Sequence, residues 1–186
     1  MSLENSYAHL SDYLFMNFLN TVNNKTEEMT DLIVDEESTI AWLHFMEEKG
    51  MLSSRQIEII KRDSIKAEDL QAFRDLIRSY FIESHAEGDL VDVLEHKTEK
   101  VPLHFTVSSD SIVPLPFKGG TDGIISLLSY MIFDSYRAGL FSKIKKCEHP
   151  SCVALFIDEK GKRKWCSMRV CGNRAKAQKY YTKKKG

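Results

Sequence analysis

Four cysteines are the residues of this 186-residue chain best placed to do chemistry. Cys147, Cys152, Cys166 and Cys171 occupy one window of 25 residues as C-x4-C, thirteen residues, then a second C-x4-C, and no other cysteine occurs. Cysteines scattered through a core do not cluster in this way. In a reducing compartment, grouped thiols hold a metal or a redox centre. Four thiolates about 2.3 Å from a tetrahedral Zn2+ make a closed site with no open position for water. The expected cofactor is therefore Zn2+ in a structural role. An iron–sulfur cluster is the alternative, and the paired spacing and basic surroundings favour zinc. His149 lies between the first two cysteines and could replace one as ligand; the simpler reading keeps it in the loop beside Pro150.

The surroundings of the cysteines are strongly basic. Residues 143–186 hold 14 Lys or Arg against 3 acids, a net of +11. The first 142 residues hold 12 against 24, a net of −12, so the overall charge of −1 conceals two opposite halves. Such asymmetry points to two modules with different partners. We accordingly expect a domain over residues 1–142 and a basic finger over 143–186. The expected layout of the finger is a first knuckle CEHPSC, a strand over 153–157, a turn over 158–161 and a return strand over 162–165. Cys166 then ends the hairpin, and a helix opens at Cys171 and runs to about Lys183. A thiolate at a helix N-terminus is favoured by the amides and dipole there. So small a unit lacks a sufficient core, and metal binding contributes about 10 kcal/mol or more to its folding.

Here the sequence resembles a known family. CEHPSC followed by VALFID, then RKWCSMRVCGNRAKA with the run Cys171, Gly172, Asn173, Arg174, is similar to the CGNR zinc finger over about the last 42 residues. The stretches LFMNFLNTVNN and DLIVDEESTIAWL resemble the ABATE domain that usually precedes that finger. The order of knuckle, hairpin and a helix carrying the last ligand is the layout of a treble-clef-like finger, and the resemblance implies a bacterial, two-module regulator of stress-induced transcription, with a sensing or assembly domain and a DNA-binding finger.

On a helical wheel, Lys176, Lys179 and Lys183 fall within about 60° of one another and form a basic stripe. Arg163 and Lys164 approach from the hairpin, and Arg169 from the loop between the last two ligands. A zinc ion with four thiolates carries a net −2, which Arg169 and Arg174 are placed to offset. Asn173 can simply bond the local backbone. The remaining positive charge is explained by phosphate contacts with counterion release, so duplex DNA is the expected partner. Lysines position a protein on the backbone; Arg169, Asn173 and Arg174 are the residues able to read bases. The alternative is a protein-interaction module whose basic finger docks on an acidic surface, the chain's own acidic half included.

The acidic half reads as mostly helical. Helices are expected over Tyr13–Val22, over DEESTIAWLHFMEEKG with Gly50 as its stop, and from Ser53 or Ser54 through Ile60. A polar loop is expected over 23–30. The clearest amphipathic helix spans Lys66–His85, with Leu70, Phe73, Ile77 and Phe81 on one face and Gly88 ending it. A short helix over Leu90–His96 follows. Strands over 103–107 and 111–115, turning at Ser109-Asp110, make a hairpin that Pro114 and Pro116 confine to an edge. The last large helix starts at Thr121 or Asp122, is apolar on most faces and closes at Gly139. The fold class is α+β.

Arg74 sits at the edge of the apolar stripe, and a buried guanidinium needs a carboxylate of the protein or of a ligand. Asn17, Asn20 and Thr21 are polar residues in an apolar segment. Asn20 and Arg74 are the candidate residues for a small-molecule ligand, the alternatives being internal pairing and local capping. No Ser/His/Asp signature, glycine-rich phosphate loop or H-E-x-x-H occurs, and every cysteine is committed, so no enzyme is expected. No apolar run reaches the length of about 18 residues needed to cross a membrane. The N-terminus has no secretory pattern, which sets a cytoplasmic expectation. A homodimer built on the first domain is compatible with this reading.

Overall fold

A computed structural model describes residues 3–24, 29–83, 87–108 and 111–185, with the side chains of 87–89, 108 and 183–185 left aside. In chain order the elements begin with α1 (Leu3–Ser6), α2 (Leu14–Leu19), β1 (Val22–Asn23), β2 (Thr30–Asp31), α3 (Glu36–Glu48) and α4 (Ser54–Ile60). They continue with α5 (Ala67–Glu83), α6 (Glu87–Lys100), β3 (Leu103–Ser108), β4 (Ser111–Pro116) and α7 (Gly120–Arg137). A 3-10 turn (Phe141–Lys143) leads into β5 (Ile144–Lys146) and β6 (Leu155–Ile157). A π-helical turn (Met168–Gly172) then runs into α8 (Asn173–Lys185). The strands form three antiparallel pairs, β1–β2, β3–β4 and β5–β6. The architecture is α+β, as the sequence implies.

Local signals place several elements. Asp35 caps α3 by accepting from the Ser38 amide, and the Ser38 hydroxyl returns the favour to the Asp35 N–H. Ser53 and Gln56 make the same reciprocal box at α4. Each box satisfies amides that a helix start would leave orphaned. Gly50 and Gly139 follow α3 and α7 with positive φ, the conformation that lets the chain turn out of a helix without a Cβ clash. Helix α7 runs through the core, with Ile124, Leu127, Leu128 and Ile132 at most 2% exposed. Burial of each such side chain contributes about 1.5–3 kcal/mol.

Some expectations are corrected. Gly88 does not terminate α5, described through Glu83; it lies in the first turn of α6. Helix α6 is also longer than the short segment the sequence suggests. Helix α2 stops at Leu19 rather than Val22, and Val22, from the expected helix, and Asn23, from the expected loop, pair with Asp31 and Thr30. The Ser109-Asp110 turn and His85 lie outside the described residues.

The return strand over 162–165 does not form. Strand β6 pairs instead with β5, so the first knuckle joins the two strands rather than preceding a hairpin. The cause is Asp158. Its carboxylate accepts from the amides of Lys162 and Arg163 and from the Lys145 ammonium. Those two amides are therefore unavailable to a sheet, and the chain wraps around the side chain. The Lys145 ammonium and then the two amides hold the Asp158 carboxyl below the ordinary carboxylate range.

The basic segment is not a separate bead. Ile144, Leu155 and Ile157 belong to the same buried cluster as Phe15, Phe18, Leu19, Trp42 and Ile77. The cysteines form a second small cluster with Ala154 and Phe156.

Candidate metal centre and basic helix

The four cysteine sulfurs lie within 4.8 Å of one another, and all four residues are buried. Cys152 Sγ is 3.8 Å from Cys166 Sγ, which is 3.6 Å from Cys171 Sγ. A tetrahedron with metal–sulfur bonds of about 2.3 Å requires sulfurs about 3.8 Å apart. All four thiols are free and not disulfide-bonded. The donor set and its spacing thus fit a tetrahedral, thiophilic cation. Left to themselves, four adjacent sulfurs cannot all ionise. Donated hydrogen bonds from Cys152 and then Cys166 pull Cys147 far below the usual thiol value. Cys152 and Cys166 are pushed up through their bonds with Cys147. Burial, then the charge of Cys152, pushes Cys171 up to about 12. A dication is what permits all four to be thiolates together.

The elements around the site explain the spacing. Cys147 follows β5 and Cys152 precedes β6, and the Cys147 amide bonds the Ala154 carbonyl to close the knuckle. The Cys166 amide donates to Cys147 Sγ at 3.4 Å. Cys171 lies in the π-helical turn entering α8, not at an ordinary helix start. Gly172 beside it is buried, and a Cβ there would strike the Met168 thioether. His149 stands outside the sulfur cluster, with Nδ1 3.0 Å from Ser151 Oγ.

The candidate nucleic-acid residues divide into two groups. Arg163 is spent on the fold: its guanidinium donates to the carbonyls of Ile157 and Cys166 and lies over the Phe156 ring at 4.7 Å. Asn173 donates to the Arg169 carbonyl, the local backbone role. Lys164 is exposed, with its ammonium 3.7 Å from the Glu148 carboxylate. Arg169, Lys176 and Lys179 are exposed, and Arg174 is half-buried. Lys183 lies within α8, its side chain beyond the description. Helix α8 has no acidic residue and, among its described side chains, no buried face.

Asn20 and Arg74 both spend their polar atoms on protein groups. The Asn20 side chain donates to the Leu155 carbonyl and accepts from the Leu155 amide, both at 2.9 Å. It thus acts as a one-residue β-partner for β6. Asn24 repeats the device, donating to the Ser151 carbonyl and accepting from the Val153 amide. Asn17 clamps Ser11 in the same two-bond way. Arg74, 3% exposed, pairs with Asp31 at 2.7 Å and Asp75 at 2.9 Å and donates to Thr21 Oγ1. This is the internal pairing that the sequence leaves open.

Sequence reasoning overlooked Arg78. It is 7% exposed and joins the Leu19 carbonyl at 2.6 Å to the Val153 carbonyl at 2.7 Å. Its position one helical turn after Arg74 is the signal that was available: two arginines at i and i+4 facing one core.

The model of the CGNR zinc finger family matches residues 143–184. The match covers both strands of the β5–β6 pair, all four sulfur ligands and nearly all of α8. No curated protein matches the chain. No described helix is long and apolar enough to cross a membrane.

Proposed function

We propose that this chain is a transcription regulator that binds duplex DNA through a zinc-dependent basic finger over residues 143–186. Residues 1–142 form the ABATE-like part, which senses a small molecule or pairs two copies. One observation carries the reading: α8 presents Lys176 and Lys179 to solvent, without acids of its own and without an ion pair to any described residue. Zinc is assigned a structural role, since four buried thiolates leave no position for substrate. No catalytic role is assigned to any residue.

The alternative, docking of the finger on the chain's own acidic half, finds less support. That contact is made by Asn20, Asn24, Arg78 and apolar side chains, and it leaves α8 outward. Should the first domain sense a ligand, a cleft of about 540 Å³ between α2 and α7 has the appropriate size, lined by Tyr13, Phe15, Met51, Tyr130 and Leu140. A mobility-shift titration of the zinc-loaded chain on duplex DNA at two salt concentrations tests the DNA reading. Salt-sensitive binding is expected; no binding at low salt, or binding indifferent to salt, refutes it.

A further inference from the structure

The β3–β4 hairpin has one closed edge and one open edge. The Phe117 amide bonds the Pro102 carbonyl, which fixes the phase of the ladder. Pairs 104–115 and 106–113 then exchange hydrogen bonds, while residues 103, 105 and 107 on β3, and 112, 114 and 116 on β4, point their backbone groups outward. On β4 the outward set is blocked at Pro114 and Pro116. Pro114 and Pro116 have no N–H to offer, and the Pro114 carbonyl accepts from Gln56 of α4 at 2.9 Å. On β3 nothing comparable occurs. Among the described residues, no strand and no side chain takes up the outward groups of Leu103, Phe105 and Val107. Phe105 is 52% exposed and Val107 75%, beside Ile112 at 70%.

Edges are ordinarily guarded by a charge, a proline or a covering element. The sequence Leu-His-Phe-Thr-Val-Ser of β3 supplies neither an acid nor a lysine, arginine or proline. We propose that this edge pairs with the β3 edge of a second copy of the chain, giving a continuous four-stranded antiparallel sheet across a two-fold axis. The occupant follows from the pattern. Outward residues 103, 105 and 107 are symmetric about Phe105, so an axis there sets Phe105 against its own counterpart and Leu103 against Val107. Each of the three pairs exchanges two backbone hydrogen bonds. A two-fold contact places each surface against itself, and a charged edge would repel its copy; this edge is neutral and apolar. The pairing stands independently of DNA binding, and its test uses none.

Sedimentation of the zinc-loaded full chain across a concentration series measures the mass. Twice 21.4 kDa is expected for the wild type. Val107→Lys puts a charge on the edge at an exposed position, so the fold is kept, as circular dichroism checks, and the mass halves. Val34→Lys, at a site 60% exposed elsewhere, leaves the dimer intact. Hydrogen exchange at the amides of Leu103, Phe105 and Val107 slows with rising concentration in the wild type and not in Val107→Lys. A wild type that stays monomeric, a dimer that survives Val107→Lys, or one that Val34→Lys disrupts equally overturns the proposal.

Discussion

Replacing Asn20 tests the joint between the two parts of the chain. Asn20 is 3% exposed and Leu155 is fully buried. The Asn20→Ala variant loses both 2.9 Å bonds at once and leaves the amide and carbonyl of Leu155 without a partner and without water. Each orphaned buried group costs about 1–3 kcal/mol, so the pair costs about 2–6 kcal/mol. That is a large part of a domain stability of about 5–15 kcal/mol. With an m value of about 2 kcal/mol per molar in urea, the midpoint falls by about 1–3 M. Asn20→Asp keeps the acceptor for the Leu155 amide but turns a carboxylate oxygen toward the Leu155 carbonyl. It should cost at least as much near neutral pH. The assay is urea unfolding at fixed free zinc, followed by fluorescence and far-ultraviolet dichroism. Both probes should shift together, because β6 shares the core of the N-terminal helices. A midpoint unchanged in both variants refutes the clamp and returns Asn20 to the role of a ligand-binding residue.

Chelating the metal, or replacing Cys166 by Ser, should lower the thermal midpoint of the whole chain and not of the finger alone; calorimetry showing an unaltered main transition would contradict this. Arg74→Met should destabilise by about 1–3 kcal/mol, because it removes the partner of the part-buried Asp31 and of Thr21 Oγ1, as read by denaturant melts. The Asp158 carboxyl is depressed by Lys145 and two amides, so the stability it adds is present above the ordinary value of 3.8 and is lost as pH falls through its lower folded value. The gap in stability between wild type and Asp158→Asn should therefore close toward acid in pH-resolved melts, and a gap widening there would reverse the sign. The double change Lys176→Glu and Lys179→Glu should leave the melting temperature unmoved and reduce the salt slope of DNA binding by about two or more, as a filter-binding series measures.

How legible all this was in the sequence depends on range. The start of α4 at Ser53 or Ser54, the stripe of α5 and the cysteine cluster are local patterns, and each is where the sequence places it; the Asp35 cap of α3 is equally local but reads in the sequence only as an acidic helix start. The return strand failed because one carboxylate, Asp158, captured the amides that a strand needs, and strand propensity does not register such a competitor. Asn20 and Arg74 were correctly singled out as polar residues in apolar settings. Their partners lie far away in sequence, however: Leu155 for one and Asp31 for the other. A buried amide side chain looks the same in sequence whether it meets a ligand or a backbone. Arg78 went unnoticed because its partners are carbonyls, which leave no trace in residue type.

Helix α8 extends from its root at the π-helical turn with exposed side chains over residues 176–182. Mechanically it is a cantilever. Thirteen residues span about 20 Å, so a tilt of about 10° at the root moves the tip by about 3 Å. Such a tilt displaces Lys176, near the root, less than Lys179 further along. On the DNA-binding reading proposed above, the root would fix where the finger sits on a polyanion, and the tip would contribute long-range attraction that tolerates imprecision. On that reading, stiffness at Cys171 would be a determinant of selectivity, separable from the number of positive charges the helix carries.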